Sequence, residues 1–402
     1  MCSEFADSAG VVLHDGGLVP PRGHSMHKPA PECDIKGNDV DQFVPDSPFA
    51  TSIRTTLLAN LVVGASVHEP SVDPAKTFRD MVAGLPKDNK LPPHTIYVPS
   101  EEAPALTQFL LGRLPQEWTL QRDTSVNGGF TMVDSLRCVG DAVRTRQFAD
   151  SVADAVLTME QQRANGAIHV VDAGCGSLPV LSIAAALASK RVQCTALEIN
   201  PRSAEMARAI IGGMGLGNQI EVVETDILHY KPSKKFDVVV SETMDTGLAR
   251  EPIVQIMAHL RRYVRENGVL LPEKVALHAA FVSNRMDAVE KRSVLIDGRQ
   301  HSVVEPPWTD VGTYNLGETE GDIHFHLHPN LDPGLYNLLL TNTVHIGGGK
   351  KLYPYDSAIT LPKIVERKPG SAFVVNAMGR NTKVEVHVGY RPGGVMSALQ
   401  IA

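Results

Sequence analysis

The sequence predicts an α/β protein, a doubly wound parallel sheet followed by an antiparallel β domain, and three observations carry that prediction. Between residues 168 and 240, short apolar segments alternate with helix-patterned ones, as in a parallel sheet with crossover helices. The first of these segments runs directly into a glycine turn, Asp172-Ala173-Gly174-Cys175-Gly176. After Pro272 the pattern changes to short β-rich segments separated by turn clusters, which reads as an antiparallel sheet or barrel.

Three parts follow in order. Residues 1–125 form an irregular and helical extension, residues 126–271 the Rossmann-like α/β domain, and residues 272–402 the β domain. Up to about residue 48 the chain is rich in Gly, Pro, Asp and His without periodicity. Apolar residues at helix spacing over 52–67 and 103–114 predict helices, separated by the Leu91-Pro92-Pro93 turn. Residues 131–163 read as helical with a break near Gly140. Strands are then expected at 168–172, 193–198, 221–225 and 236–240, with helices near 180–189, 203–213 and from Pro252 onward. Beyond Pro272 the expected strands are 276–282, 322–328, 336–345, 372–377 and 383–389.

A chain of 402 residues has ample material for two or three domains. Its formal net charge of −7 argues against general nucleic-acid binding, which requires a basic surface. No apolar run approaches membrane-spanning length, and the first residues lack a secretory layout, so a cytoplasmic location is expected. Five cysteines without CxxC spacing point to neither a disulfide framework nor a zinc knuckle. His24 and His27 lack acidic or cysteine partners nearby. His324, His326 and His328 alternate along one strand face, where neighbours stand roughly 7 Å apart, too far to converge readily on one ion. No metal site is expected.

The turn glycines Gly174 and Gly176 let the backbone approach a ligand, although the third glycine of a dinucleotide fingerprint is missing. Glu198 ends the next strand, placed to accept two ribose hydroxyls, and Asp226 ends the third, placed to receive an adenine amino group. With Asp172, an acid follows each of three successive strands, although each alone would also suit a helix N-terminus. The set resembles the S-adenosyl-L-methionine site of class I methyltransferases.

The fourth strand leads into Ser241-Glu242-Thr243-Met244, and a second acid, Glu251, closes that loop. Two carboxylates at the mouth of a parallel sheet make an anionic clamp suited to a planar cation with several N–H donors. With this loop included, residues 130 to 402 resemble the protein arginine methyltransferases. That family carries Ser-Glu-x-Met with a second Glu at the far end, matched by Ser241, Glu242, Met244 and Glu251. Asp141-Ala142-Val143-Arg144-Thr145 is similar to the family's Asp-Glu-Val-Arg-Thr helix, and the resemblance implies that Arg144 binds the cofactor's carboxylate. Residues 267–272 look like the family's entry into its β-barrel.

The resemblance implies catalysis by Glu242, Glu251 and Asp141 on a guanidinium, whose nitrogens are poor nucleophiles because its pKa lies above about 12. The two glutamates would fix its plane and leave one nitrogen facing the methyl group, while neutralising two cations that repel in a low-dielectric site. The chain also departs from the family. Pro354-Tyr355 is followed by Asp356-Ser357-Ala358 where the family has Thr-His-Trp, and Asn127-Gly128-Gly129-Phe130 stands where two tyrosines are expected. Asp356 is an expected holder of a free amino acid's α-ammonium, with Met244 and Ser357 as further substrate contacts. In these respects the chain looks like the free-arginine methyltransferases that begin nitrosourea (streptozotocin-type) natural-product pathways. The expectation is therefore methylation of free L-arginine to Nω-methyl-L-arginine, with a peptidyl-arginine enzyme and a catalytically silent binding relative as alternatives. By resemblance, the protein is expected to be a homodimer.

Overall fold

The computed structural model describes residues 73–87, 105–115, 118, 130–248, 251–283, 291–296, 299–304, 306–317, 323–325, 336–365, 376–378, 383–390 and 396–401. Its helices are α1 (Pro74–Gly84), α2 (Ala105–Leu111), α3 (Met132–Cys138), α4 (Ala142–Gln162), α5 (Val180–Ala188), α6 (Pro201–Gly213) and α7 (Ile253–Arg261). The helix expected over 52–67, and His24, His27, His326 and His328, lie outside the described residues.

Strands β1 (Ile168–Ala173), β2 (Val192–Glu198), β3 (Ile220–Glu224), β4 (Phe236–Ser241) and β5 (Val264–Leu271) form one parallel sheet in the order β3-β2-β1-β4-β5. β5 differs from the sequence reading, which took residues 267–272 as the approach to a second domain. An edge strand pairs on one side only, and the polar Arg265-Glu266-Asn267 run hides its period. Because β2 and β4 flank β1, the strand order reverses there, and a crevice opens beyond the carboxyl ends of β1 and β4.

Local chemistry sets the helices that frame this crevice. The helical stretch from 131 to 163 divides because Asp141 takes the N-cap of α4, its Oδ1 accepting Arg144 N at 3.4 Å. Val143, Phe148, Val152, Val156 and Met159 then bury one face of α4. Asn200 caps α6, with Pro201 in the first turn. α1 was not apparent from apolar spacing, yet Asp73-Pro74 is a start signal, and Asp73 Oδ1 accepts Ala75 N at 2.9 Å. Arg146 donates from α4 to the carbonyls of Val82, Ala83 and Leu85, satisfying the unpaired C-terminal end of α1. Phe78, Leu106 and Leu110 join the main core, so this layer is packed onto the α/β domain.

After the parallel sheet the pairing is antiparallel. β6 (Lys274–Ser283), β9 (Thr309–Asn315), β11 (Tyr336–Gly347), β12 (Lys350–Leu352) and β13 (Lys363–Val365) form one sheet. β10 (Ile323–Phe325), β14 (Asn376–Met378), β15 (Lys383–Tyr390) and β16 (Met396–Ile401) form a second, and β7 (Lys291–Ile296) pairs with β8 (Arg299–Val304). The β11–β12 turn docks on α4, where Ser151 Oγ donates to Gly347 O at 3.3 Å and Lys350 pairs with Asp154.

Candidate active site

The crevice gathers most of the residues expected from the sequence. β1 hands the chain to the glycine turn, where Gly174 has φ +86° and Gly176 φ +66°. A Cβ on Gly174 would stand 2.6 Å from Thr243 Cγ2, so glycine is required for the turn to lie against the loop after β4. Glu198, at the end of β2, accepts Gly176 N and Asn200 N, each at 2.8 Å. Burial pushes its carboxyl pKa up, against the pull of those N–H groups.

Two of the expected cofactor acids already hold partners within the protein. Asp172 is buried beneath the turn, where its Oδ2 accepts both Ser182 N at 3.0 Å and Ser182 Oγ at 2.6 Å, holding the first turn of α5. Burial raises its pKa to about 6. Asp226 caps the 3-10 turn Ile227–His229, accepting Leu228 N at 2.9 Å and meeting His229 Nδ1 at 2.9 Å.

Arg144 and Glu242 do meet. Arg144 Nη1 donates to Glu242 Oε1 at 3.2 Å and Nη2 to Cys138 O at 2.7 Å, while Nε lies 3.5 Å from Asp141 Oδ2. The Glu242 side chain is 17% exposed, and enclosure drives its pKa up to about 7 despite Arg144, with Asp141 and Asp172 adding repulsion. Such a carboxylate is partly neutral near pH 7, and a second cation would return it to its charged form. Glu251 is half-buried at the far end of the same loop. Met244, a residue of that loop expected to touch substrate, is fully buried.

The second half of the chain holds this loop in place, which the sequence does not reveal. Gly247 N donates to Asn342 Oδ1 on β11, and Thr246 Oγ1 donates to Leu361 O, both at 2.8 Å. Asn342 Nδ2 in turn donates to Ile359 O at 2.8 Å. Leu248, at φ 55°, and Tyr355, at φ 72°, are the non-glycine residues in left-handed backbone among those described. Leu248 belongs to the loop after β4, and Tyr355 packs against Trp308 just ahead of the turn that meets Asp141.

Ser357 Oγ donates to Asp141 Oδ2 at 2.6 Å, and Ala358 N donates to the same oxygen at 2.9 Å. The aspartate thus finds partners in a hydroxyl and a backbone N–H where the resembling family has an imidazole. Asp356, expected at the substrate rim, is buried, and its Oδ2 closes its own turn by accepting Tyr353 N at 2.9 Å. The sequence reading also missed Ser135, Ser177 and Ser203, which link α3, the glycine turn and α6. Among the described residues, no three His, Cys, Asp or Glu side chains come together as a metal set.

Residues 170–268 match the family model described as a methyltransferase domain. That match and the 3-2-1-4-5 parallel sheet define the class, a class I methyltransferase domain whose cofactor is S-adenosyl-L-methionine. The chain is 26% identical over 237 residues to the uncharacterized protein MJ1452 of Methanocaldococcus jannaschii, covering 58% of this chain and 85% of that one. It is 32% identical over 136 residues to the arginine N(omega)-methyltransferase of Streptomyces achromogenes subsp. streptozoticus, covering 32% of this chain and 37% of that enzyme. Over 134 residues it is 30% identical to the probable histone-arginine methyltransferase CARM1 of Oryza sativa subsp. indica, covering 33% of this chain and 25% of the rice protein.

The crevice fits the cofactor. Arg144 offers a buried cation for its carboxylate, Glu198 has acceptor capacity for a ribose diol, and the bare backbone at Gly174 admits close approach.

Proposed function

We propose that this protein transfers a methyl group from S-adenosyl-L-methionine to a terminal guanidinium nitrogen of arginine, with free L-arginine as the substrate and Nω-methyl-L-arginine as the product. The observation that carries this reading is Glu242, a mostly enclosed carboxylate at the carboxyl end of β4, next to Arg144 and poised near neutrality. A guanidinium entering beside it would add a second counter-charge and further hydrogen bonds. In this proposal Glu242 and Glu251 grip the cation, Arg144 holds the cofactor carboxylate, and Asp141 fixes Arg144. The bound cofactor supplies the methyl group.

The likeness to the Streptomyces arginine N(omega)-methyltransferase supports the free-arginine reading. The expected α-ammonium contact at Asp356 gives it little help, since one carboxylate oxygen is committed to the local turn. A peptidyl-arginine substrate is the second reading, favoured by the likeness to the rice protein. Incubation with cofactor, free arginine and a Gly-Arg-rich peptide, followed by mass spectrometry, separates them. A 14 Da gain (one CH₂, by stoichiometry about the mass of any single methylation) on arginine alone supports the proposal, and a gain on the peptide alone replaces it with the second reading. Binding of cofactor with no methylation of either would leave the silent relative. A homodimer and a cytoplasmic setting belong to the same proposal.

A further inference from the structure

At the other end of the parallel sheet, remote from the glycine turn, lies a cavity of about 430 Å³. Its wall is made by an irregularity in β5. Phe236 pairs with Val264 and Val238 with Val269, so Asp237 faces the four residues 265–268. Gly268 permits this, because a Cβ there would stand 3.0 Å from the carbonyls of both Phe236 and Asp237. Arg265, Glu266 and Asn267 thereby line the cavity, an aiming of side chains for which bulges are used.

The lining carries excess positive charge. Asp237 is buried, and its Oδ1 accepts Arg163 Nη1 at 2.6 Å while Oδ2 accepts His169 N at 2.8 Å. Arg265 Nε stands 3.1 Å from that same Oδ1, yet this buried N–H has no hydrogen-bond acceptor. Lys235 adds a third cation, and the exposed Glu266 is the other acid in the wall. One carboxylate shared between two guanidiniums leaves them incompletely matched, and a guanidinium fork suits phosphate oxygens. The depressed pKa of His169, caused first by burial and then by Lys234, agrees with a positive local potential, with Asp237 opposing it and Arg265 and Arg163 reinforcing it.

We infer that this cavity is a binding site for a small phosphate-bearing anion, held by Arg163, Arg265 and Lys235 and separate from the methyl-transfer crevice. Titration of the full chain with pyrophosphate and with inorganic phosphate, followed by calorimetry and phosphorus NMR, tests it. Saturable binding is expected for at least one probe, weakening as salt rises. Arg265→Gln and Lys235→Ala should each weaken it at least about tenfold, the scale of one charge-assisted hydrogen bond, with S-adenosyl-L-methionine affinity unchanged. Lys235 is exposed, so its replacement keeps the test independent of folding. Three results would overturn the inference: no saturable binding of either probe, binding that both variants retain in full, or displacement of the anion by S-adenosyl-L-methionine. Malonate competing as strongly as pyrophosphate would overturn the phosphate assignment.

Discussion

Glu242→Gln is the sharpest perturbation of the proposed clamp, because it keeps shape and removes charge. A hydrogen bond to a charged partner contributes about 1.5–3 kcal/mol, so losing a paired set should cost about two to four orders of magnitude in kcat/KM for arginine. Stability should move the other way. The Glu242 carboxyl has its folded value raised to about 7 from an ordinary 4.5. Its stabilising proton is therefore held fully below pH 4.5 and lost as pH rises through 7. At pH 8 the glutamine removes a net cost of about 3 kcal/mol, the pull of Arg144 being already contained in the raised value. Thermal melts at pH 8 should accordingly show the variant at least as stable as the parent, while product formation by mass spectrometry collapses. The parent's kcat/KM should also fall as pH drops below about 7, because protonation of Glu242 weakens its grip on a cation. Turnover within about tenfold of the parent in a folded variant would refute the reasoning, since that leaves less than one charge-assisted bond to explain.

Other positions give independent checks. Asp172→Asn keeps an acceptor for Ser182 and removes a buried charge whose pKa rises from 3.8 to about 6. Its denaturation midpoint at pH 8 should be unchanged or higher, by at most about 3 kcal/mol, with no gain below pH 3.8. Ser357→Ala removes one donor from buried Asp141 and should cost about 1–2 kcal/mol in chemical denaturation, with kcat/KM reduced by about tenfold. Gly174→Ala meets both a φ of +86° and Thr243 Cγ2, so calorimetry should show cofactor affinity reduced by at least about tenfold, the effect of roughly 1.4 kcal/mol. Adding Thr243→Ser should recover part of that loss, since the clash disappears and the backbone strain stays.

The sequence exposed the features whose causes are local. Alternating apolar strands and helices, the Gly174–Gly176 turn and the helix break near Gly140 are all written within a few residues of where they act. The Ser241–Glu251 loop was legible as a motif, and the crevice brings Glu242 to Arg144 across 98 positions of chain. What stayed hidden depends on distant partners. Nothing around Asn342 announces that it holds Gly247, and nothing around Ser357 announces Asp141. The partners of Asp172 and Asp356 were hidden for the same reason, because an acid at a strand end or in a loop looks alike whether it faces a ligand or its own backbone. β5 was hidden by its bulge, which removes the alternation that marks an edge strand.

The partners of Asp141 also bear on where a proton goes during the proposed reaction. A carboxylate has about four acceptor positions. Oδ2 already serves Ser357 Oγ and Ala358 N, and Oδ1 serves Arg144 N. Taking a substrate proton would break bonds that tie α4 to the 357–358 turn, in a place from which water is nearly excluded. Asp141 is better suited to positioning: it fixes Arg144, and Arg144 fixes Glu242. That leaves Glu251, half-buried at the end of the loop, as the route by which the proton of a methylated guanidinium reaches solvent. In the proposed clamp Glu242 then serves as counter-charge beside Arg144 and Glu251 as exit.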